Sequence, residues 1–322
     1  MNTNDRLKLT VSSDRLAALQ WWRVMAFNLI PLLGCVVAGL LALQYGVSSV
    51  DIGLFAAFYV LCCFGVELGF HRHFAHNAFG TTAAMRIAMA VLGSMAAQGP
   101  VTYWVSNHRR HHKYTDEPRD PHSPYVHGER QLGLVPGLWH AHVGWLFERE
   151  ITDTTVFAKD LLPDRAIAWV NRYYLAWVVL GCALPAVIGG LAAWSWRGAL
   201  TGFLWGGLVR TACAQHATFA VNSICHRFGG QPFDIGGQSR NNFVIALLTF
   251  GGGWHHNHHA FPSSAVNNHE WWQIDAGAWL VGALRAFGLA WDVKTPSREM
   301  IRIKKIGKSG KRSAWLKERN NG

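Results

Sequence analysis

The stretch VMAFNLIPLLGCVVAGLLALQYG, Val24 to Gly46, decides how the rest of the chain is read. It runs for 23 residues without a charged side chain. A helix needs roughly 20 predominantly apolar residues to cross the hydrocarbon core of a bilayer. Working outward, three more runs share this character. Asp51 is followed by uncharged Ile52 to Val66, Tyr173 to Trp196 has no charge, and neither has Gly198 to Val209. The sequence therefore predicts an all-α membrane protein with four transmembrane helices in two hairpins, about 24–46, 50–69, 173–196 and 198–221. Hydropathy supports the fourth least, because it contains Arg210 and His216, and a charge at that depth must face protein or water. The apolar stretch Met85 to Ala97 is too short to span and is expected to pack on the spans or lie at the interface. Trp271, Trp272, Trp279, Leu280 and Leu284 suggest a second interfacial helix.

Half of the 322 residues are hydrophobic and only 15% are charged, yet the net charge is +11. Lys and Arg gather at the N-terminus (Arg6, Lys8, Arg15, Arg23), in the central loop and in the tail (Arg302, Lys304, Lys305, Lys308, Lys311, Arg312, Lys317). The connections near 47–51 and 197 are poor in charge. By the positive-inside rule both termini and the central loop are cytoplasmic, and anionic lipid headgroups add to that preference. Topology thus accounts for the charge, and nucleic acid is not expected as a partner. No secretory signal is expected, since the first apolar run is long enough to remain as a span. The chain reads as one domain, 1–322, with basic tails at 1–23 and 296–322 and a cytoplasmic helical cap built from 70–172 and 222–322. Five of the six cysteines lie in apolar runs and none forms a Cys-x-x-Cys pair, so they read as small buried residues kept reduced.

The polar regions hold most of the 17 histidines, in three groups: His71-Arg-His-Phe-Ala-His76, His108-Arg-Arg-His111-His112 and His255-His256-Asn-His258-His259. On a helix, His108, His111 and His112 share a face, as do His255, His258 and His259, and as do Asn222 and His226. His71 and His76 stand five residues apart, about 140° around an α-helix. They converge only if the helix ends or bends between them, or if a metal sits beside its end. Two spans separate His112 from His226 and none separates His76 from His108, so all nine histidines fall at the cytoplasmic ends. Packed imidazoles repel when protonated and need partners when buried, and a metal supplies the partner. Imidazole suits Fe, Zn, Cu and Ni. Nine nitrogens are too many for one ion and suit two. A solitary histidine is more often a satisfied polar or surface residue. His73, His122 and His256 lie off the pattern, and His127, His140, His142, His216 and His269 are weaker ligand candidates still.

Three boxes of the form His-x4-His, His-x2-His-His and His-x2-His-His between paired spans resemble the integral-membrane acyl desaturases. The Δ9 branch, of stearoyl-CoA and cyanobacterial acyl-lipid type, is the most similar, over roughly residues 20–295. The stretches that carry the likeness are His71 to His76, Asn107 to Tyr114 with Asp120-Pro-His122, His142-Val-Gly-Trp145, Val221-Asn-Ser223 with His226, and Gly253-Trp-His255 to Pro262. The resemblance implies two iron ions held by His71, His76, His108, His111, His112, His226, His255, His258 and His259, with Asn222 reaching one ion through a water. It implies a kinked acyl tunnel lined by Gln98, Trp104 and Thr218, closed at its far end by Tyr59 and Cys63. Ordinary core packing is the competing reading for those five. Asp120 and Glu67 are expected to support ligands from behind, with Glu67 on the free ring nitrogen of His71 or, alternatively, on a proton route.

The implied reaction is O₂-dependent insertion of a cis double bond, at the Δ9 position, into a saturated acyl chain in a bacterial inner membrane. Hydroxylation or a related oxygenation on the same cage is the alternative, and a metal transporter or sensor is a more distant one. Electrons are expected from a separate protein of ferredoxin, rubredoxin or cytochrome type. Arg109, Arg110, Lys113 and Arg119 would attract an acidic donor or an anionic head group, unless they form a merely solvated basic loop. Three departures stand out. The family usually has Gly-Glu-Gly before the last box, where this chain has Gly251-Gly252-Gly253, while Glu67 sits in a span that is usually uncharged there. Ser106 replaces an arginine that holds the CoA head group in animal enzymes, which leaves CoA, lipid and carrier-protein linkage all open.

Overall fold

The computed structural model describes residues 9–306. The tail residues Arg6, Lys8, Lys308, Lys311, Arg312 and Lys317 lie outside the described residues. The chain is mostly helical. Its helices are α1 (Asp14–Tyr45), α2 (Ser49–Ala75), α3 (Ala83–Met95), α4 (Val101–Tyr114), α5 (Leu134–His142), α6 (Arg165–Arg172), α7 (Tyr174–Ala193), α8 (196–227), α9 (Phe243–Leu248), α10 (His255–Ala260), α11 (Ala276–Ala286) and α12 (Arg298–Ile306). Three short antiparallel pairs stitch the polar parts together: β1 (Thr10–Ser12) with β5 (Glu150–Thr152), β2 (Gly80–Thr81) with β6 (Ala290–Trp291), and β3 (Val126–His127) with β4 (Arg130–Gln131).

Three helices, α1, α2 and α7, are long and apolar enough to cross a membrane. Their outer faces carry exposed leucines and valines such as Leu33, Leu40, Val179 and Leu191, as lipid contact requires. The start of α2 explains the charge at its head. Ser48 and Asp51 form a capping box, with the Asp51 N–H donating to Ser48 Oγ and the Ser48 N–H to the Asp51 carboxylate. The expected fourth span is one continuous helical run, α8, but it falls short of the three in apolarity because of Arg197, Arg210, Gln215 and His216. It packs against α1, α2 and α7. Arg210 is wholly buried there. It donates to the carbonyls of Met95 (2.8 Å), Gly181 (2.6 Å) and Gly206 (3.0 Å) and touches Cys62 Sγ. The charge thus ties four helical segments together and reaches no lipid-facing surface.

As expected, α3 is too short to span and packs on α2 and α7. The contact is close because Gly65 and Gly69 of α2 leave room. A Cβ at Gly65 would lie 2.2 Å from the Gly93 nitrogen, the small-residue packing common between membrane helices. At this contact α2 changes character, and Gly65–Ala75 is a π-helix. The tryptophan cluster near 271–284 departs from expectation. Trp271 and Trp272 precede α11 in a turn, because Asp275 caps the helix by accepting from Ala278 N–H. Leu284 packs inward against Ala265 and Val281, and Trp279 faces out.

Candidate metal centre

Four elements deliver the nine histidines. The π-helical end of α2 supplies His71, and His76 follows as its cap, with the His76 N–H donating to the His71 carbonyl at 3.2 Å. That i+5 to i hydrogen bond widens the turn, so residues five apart stand nearly above one another. It resolves the awkward spacing of this box. Helix α4 supplies His108, His111 and His112, the last turn of α8 supplies His226, and α10 supplies His255, His258 and His259.

The rings sort into two groups. His71, His76, His108, His112 and His258 form one, and His111, His226, His255 and His259 the other, with one ring nitrogen per residue within 4.8 Å of all the others in its group. In the first, Nε2–Nε2 distances are 2.7 Å (His76–His108), 2.8 Å (His112–His258) and 3.0 Å (His71–His258). In the second they are 3.0 Å (His226–His255), 3.0 Å (His255–His259) and 3.3 Å (His111–His259). Nitrogens about 2.1 Å from a shared ion stand about 3.0–3.4 Å apart. Four of the six distances fall in that range, and His76–His108 and His112–His258 are slightly closer.

The opposite ring edges meet carboxylates. His71 Nδ1 lies 3.2 Å from Glu67, His111 Nδ1 2.9 Å from Asp120, and His226 Nδ1 3.1 Å from Asp116. With each Nδ1–H donated outward, Nε2 keeps its lone pair pointing inward. Burial and neighbouring imidazoles hold His76, His108, His112, His255, His258 and His259 well below the usual histidine pKa. Burial pulls His111 down too, but the charge and hydrogen bond of Asp120 outweigh it and raise the ring. Burial works against the Asp120 carboxylate, yet His111 more than offsets it and holds the group well below the carboxylate range. Neutral lone pairs crowded face to face repel one another unless a cation lies between them. The donor set, all imidazole and sorted into two pockets, fits two divalent transition ions.

Comparison with known proteins agrees with this geometry. The family model described as fatty acid desaturase matches residues 52–294. The chain belongs to the fatty acid desaturase family. It is 46% identical to a hex-5-enoyl-[acyl-carrier protein] acetylenase of Moorena producens (strain JHB), over 92% of this chain and 93% of that protein. It is 39% identical to an acyl-CoA C20 Delta5-desaturase of Anemone leveillei, over 75% and 73% of the two chains. An sn-1 stearoyl-lipid 9-desaturase of Anabaena variabilis is 30% identical, over 90% of this chain and all of that one.

In this desaturase-family chain a cavity of about 330 Å³ runs between α1, α4 and α8 up to His108 and Asn222. A smaller chamber of about 50 Å³ continues past Gln98, Trp104 and Thr218 to Cys63, Val66, Glu67, Thr249 and Gly252. The junction is a hydrogen-bonded collar. Trp104 Nε1 donates to Gln98 Oε1 (3.2 Å), Gln98 Nε2 donates to Thr218 Oγ1 (2.8 Å), and the Trp104 ring stacks on His108. Tyr59 lines neither cavity. Its hydroxyl donates to the Leu248 carbonyl at 2.7 Å. Of the basic residues, Arg109 is engaged by the Phe74 and Ala75 carbonyls and by Asp160, and Arg110 by the Arg119 carbonyl and Thr152. Lys113, together with the engaged Arg109, borders a surface depression of about 470 Å³ that reaches His76, His112 and His259.

Sequence reasoning missed Asp116 as a partner of His226. It stands in the loop after α4, at a positive φ of 60°, and only its closeness to the second box hinted at it. The Arg72 bonds to Glu67 (2.9 Å) and Asp275 (2.8 Å) were missed as well. Two of the three departures prove to be neighbours, since a Cβ at Gly252 would lie 3.0 Å from Glu67 Oε2. A carboxylate gained on α2 lies beside the position that lacks one.

Proposed function

We propose that this protein is an O₂-dependent di-iron desaturase of fatty acyl chains, with His71, His76, His108, His112 and His258 around one iron and His111, His226, His255 and His259 around the other. The observation that carries the reading is the sorting of nine buried or half-buried imidazoles into two groups that border an apolar channel at His71, His108 and His255. Two iron ions bound there would supply the redox chemistry with O₂ that removes hydrogen from an unactivated methylene. The protein's own part is positioning. Glu67, Asp116 and Asp120 fix ring tautomers and orientation. The collar of Gln98, Trp104 and Thr218 bends the chain so that one carbon–carbon bond faces the cage, and Asn222 holds a water beside it. Cys63 closes the inner chamber, with Tyr59 behind it. The fourth helix crosses the membrane with the other three, placing the cap and both termini in the cytoplasm of a bacterial inner membrane. A separate reduced carrier delivers electrons at the depression beside His112 and His259. The chain forms a single domain.

The substrate reading is a short acyl chain on a carrier protein. The inner chamber has room for only a few water-sized groups, and the acetylenase likeness covers nearly the whole chain. The Δ9 reading, favoured by the stearoyl-lipid relative, needs half a long chain beyond the collar and so needs a larger chamber. The test is turnover by the purified iron-loaded enzyme with carrier-, CoA- and lipid-linked chains of graded length, followed by mass spectrometry with double-bond localisation. Products lighter by two hydrogens, near the end of short carrier-linked chains, are expected. Gain of one oxygen would make the enzyme a hydroxylase, and preference for long chains would restore the Δ9 reading.

A further inference from the structure

A second cluster of ligating side chains lies away from the histidine cage. His127 ends β3, His140 stands in the last turn of α5, and Glu148 precedes β5. His127 Nε2 lies 3.1 Å from Glu148 Oε1. The His127 and His140 rings face each other with centroids 4.6 Å apart. One ligand atom from each of the three residues lies within 4.8 Å of the other two. The decisive atom is His140 Nε2. His140 is only 7% exposed, and this nitrogen is buried without a hydrogen-bond partner. A buried polar nitrogen left unpaired carries a desolvation penalty, which a bound cation would remove.

We infer that His127, His140 and Glu148 form a separate site for a single zinc-type divalent cation. Two imidazoles and one carboxylate make the three-ligand set that zinc takes when a fourth position stays open to water. Ligands about 2.1 Å from such an ion stand about 3.4 Å apart, close to the His127–Glu148 separation. Burial, then the neighbouring His127, pulls the His140 pKa down to about 4, so its ring is neutral and its lone pair available at ordinary pH. The ion would tie the β3–β4 hairpin to the segment leading into β5. His127 and Glu148 both line a polar cavity of about 250 Å³. That cavity shares Gln20, Tyr103, Asn107, Trp145 and Ile151 with the acyl channel. The cation therefore sits at the mouth, with its open position toward the region a polar head group would enter.

The test uses the full-length protein in detergent, with the cage filled by iron first and zinc then added and dialysed. Elemental analysis should find one zinc per chain. His127→Ala and Glu148→Gln, both partly exposed and neither a member of the cage, should each lose that zinc and leave iron content unchanged. Cobalt in place of zinc should give the visible absorption of a tetrahedral site in the wild type and not in either variant. Equal zinc content in wild type and both variants, or no zinc retained by the wild type, overturns the assignment. Because iron is counted in the same samples, failure of this site is distinguishable from failure of the cage.

Discussion

The two halves of the histidine cage are built differently. The group of five rings is backed by one carboxylate, Glu67, and Arg72 shares that charge through Nε and Nη2 before bonding Asp275 in turn. The group of four is backed by two carboxylates, Asp116 and Asp120. Their partners among the described residues are imidazoles, backbone N–H groups and the Ser123 hydroxyl. One half therefore has more rings and a neutralised support, and the other has fewer rings and more negative charge close behind them. Negative charge near an ion favours its higher oxidation state. The four-ring half should hold its metal more tightly when oxidised, and the five-ring half should be the easier one to reduce.

Breaking the neutralised support should have the largest effect. Arg72→Met leaves Glu67 and Asp275 buried without their cation, a loss of about 3–5 kcal/mol. A sharp fall in the thermal midpoint of the detergent-solubilised protein is expected, and an unchanged midpoint would show that the two carboxylates do not depend on Arg72. Asp120→Asn comes next. It removes the charge behind His111 and should weaken metal binding in the four-ring half about 10–100-fold. The check is iron content after chelator challenge, where the variant should keep the five-ring metal and lose the other. Equal loss from both halves would erase the contrast. Glu67→Gln should act more mildly, roughly several-fold on turnover, because Arg72 already offsets that charge. If iron content and turnover stay unchanged, Glu67 does not tune His71 at all.

The smallest effect should come from acid. The folded pKa values of His76, His108, His112, His255, His258 and His259 lie below the ordinary histidine value, so the unfolded chain binds more protons. Stability carried by these rings is present above about pH 6.5 and is lost as pH falls below it. Protons also compete with metal for the same nitrogens. Chelator-released iron, followed against pH, should rise only below about pH 6.5, and first from whichever half the Asp120→Asn comparison marks as weaker. Release that is flat across that range would mean the rings do not titrate as a cage.

Much of this was legible in the chain itself. Length and hydropathy locate α1, α2 and α7, and the spacing of three boxes with one distant histidine picks out nine rings that the structure gathers into two groups. What escaped depends on contacts between elements distant in sequence. The π-helical turn arises where Gly65 and Gly69 let α3 approach, and α-helical periodicity gives no hint of it. Arg210 lowers the hydropathy of α8, yet its charge is spread over carbonyls of α3, α7 and its own helix. Asp116 reaches His226 across a gap of 110 residues. His127 and His140, weak candidates one at a time, gain weight only when Glu148 is seen beside them.

The widened turn at the end of α2 amounts to one extra residue held inside a helix. Wound as an ordinary α-helix, the same segment would set His71 and His76 about 140° apart around its axis. The winding of this one segment, as well as the identity of its histidines, therefore decides whether both rings can join the five-ring group.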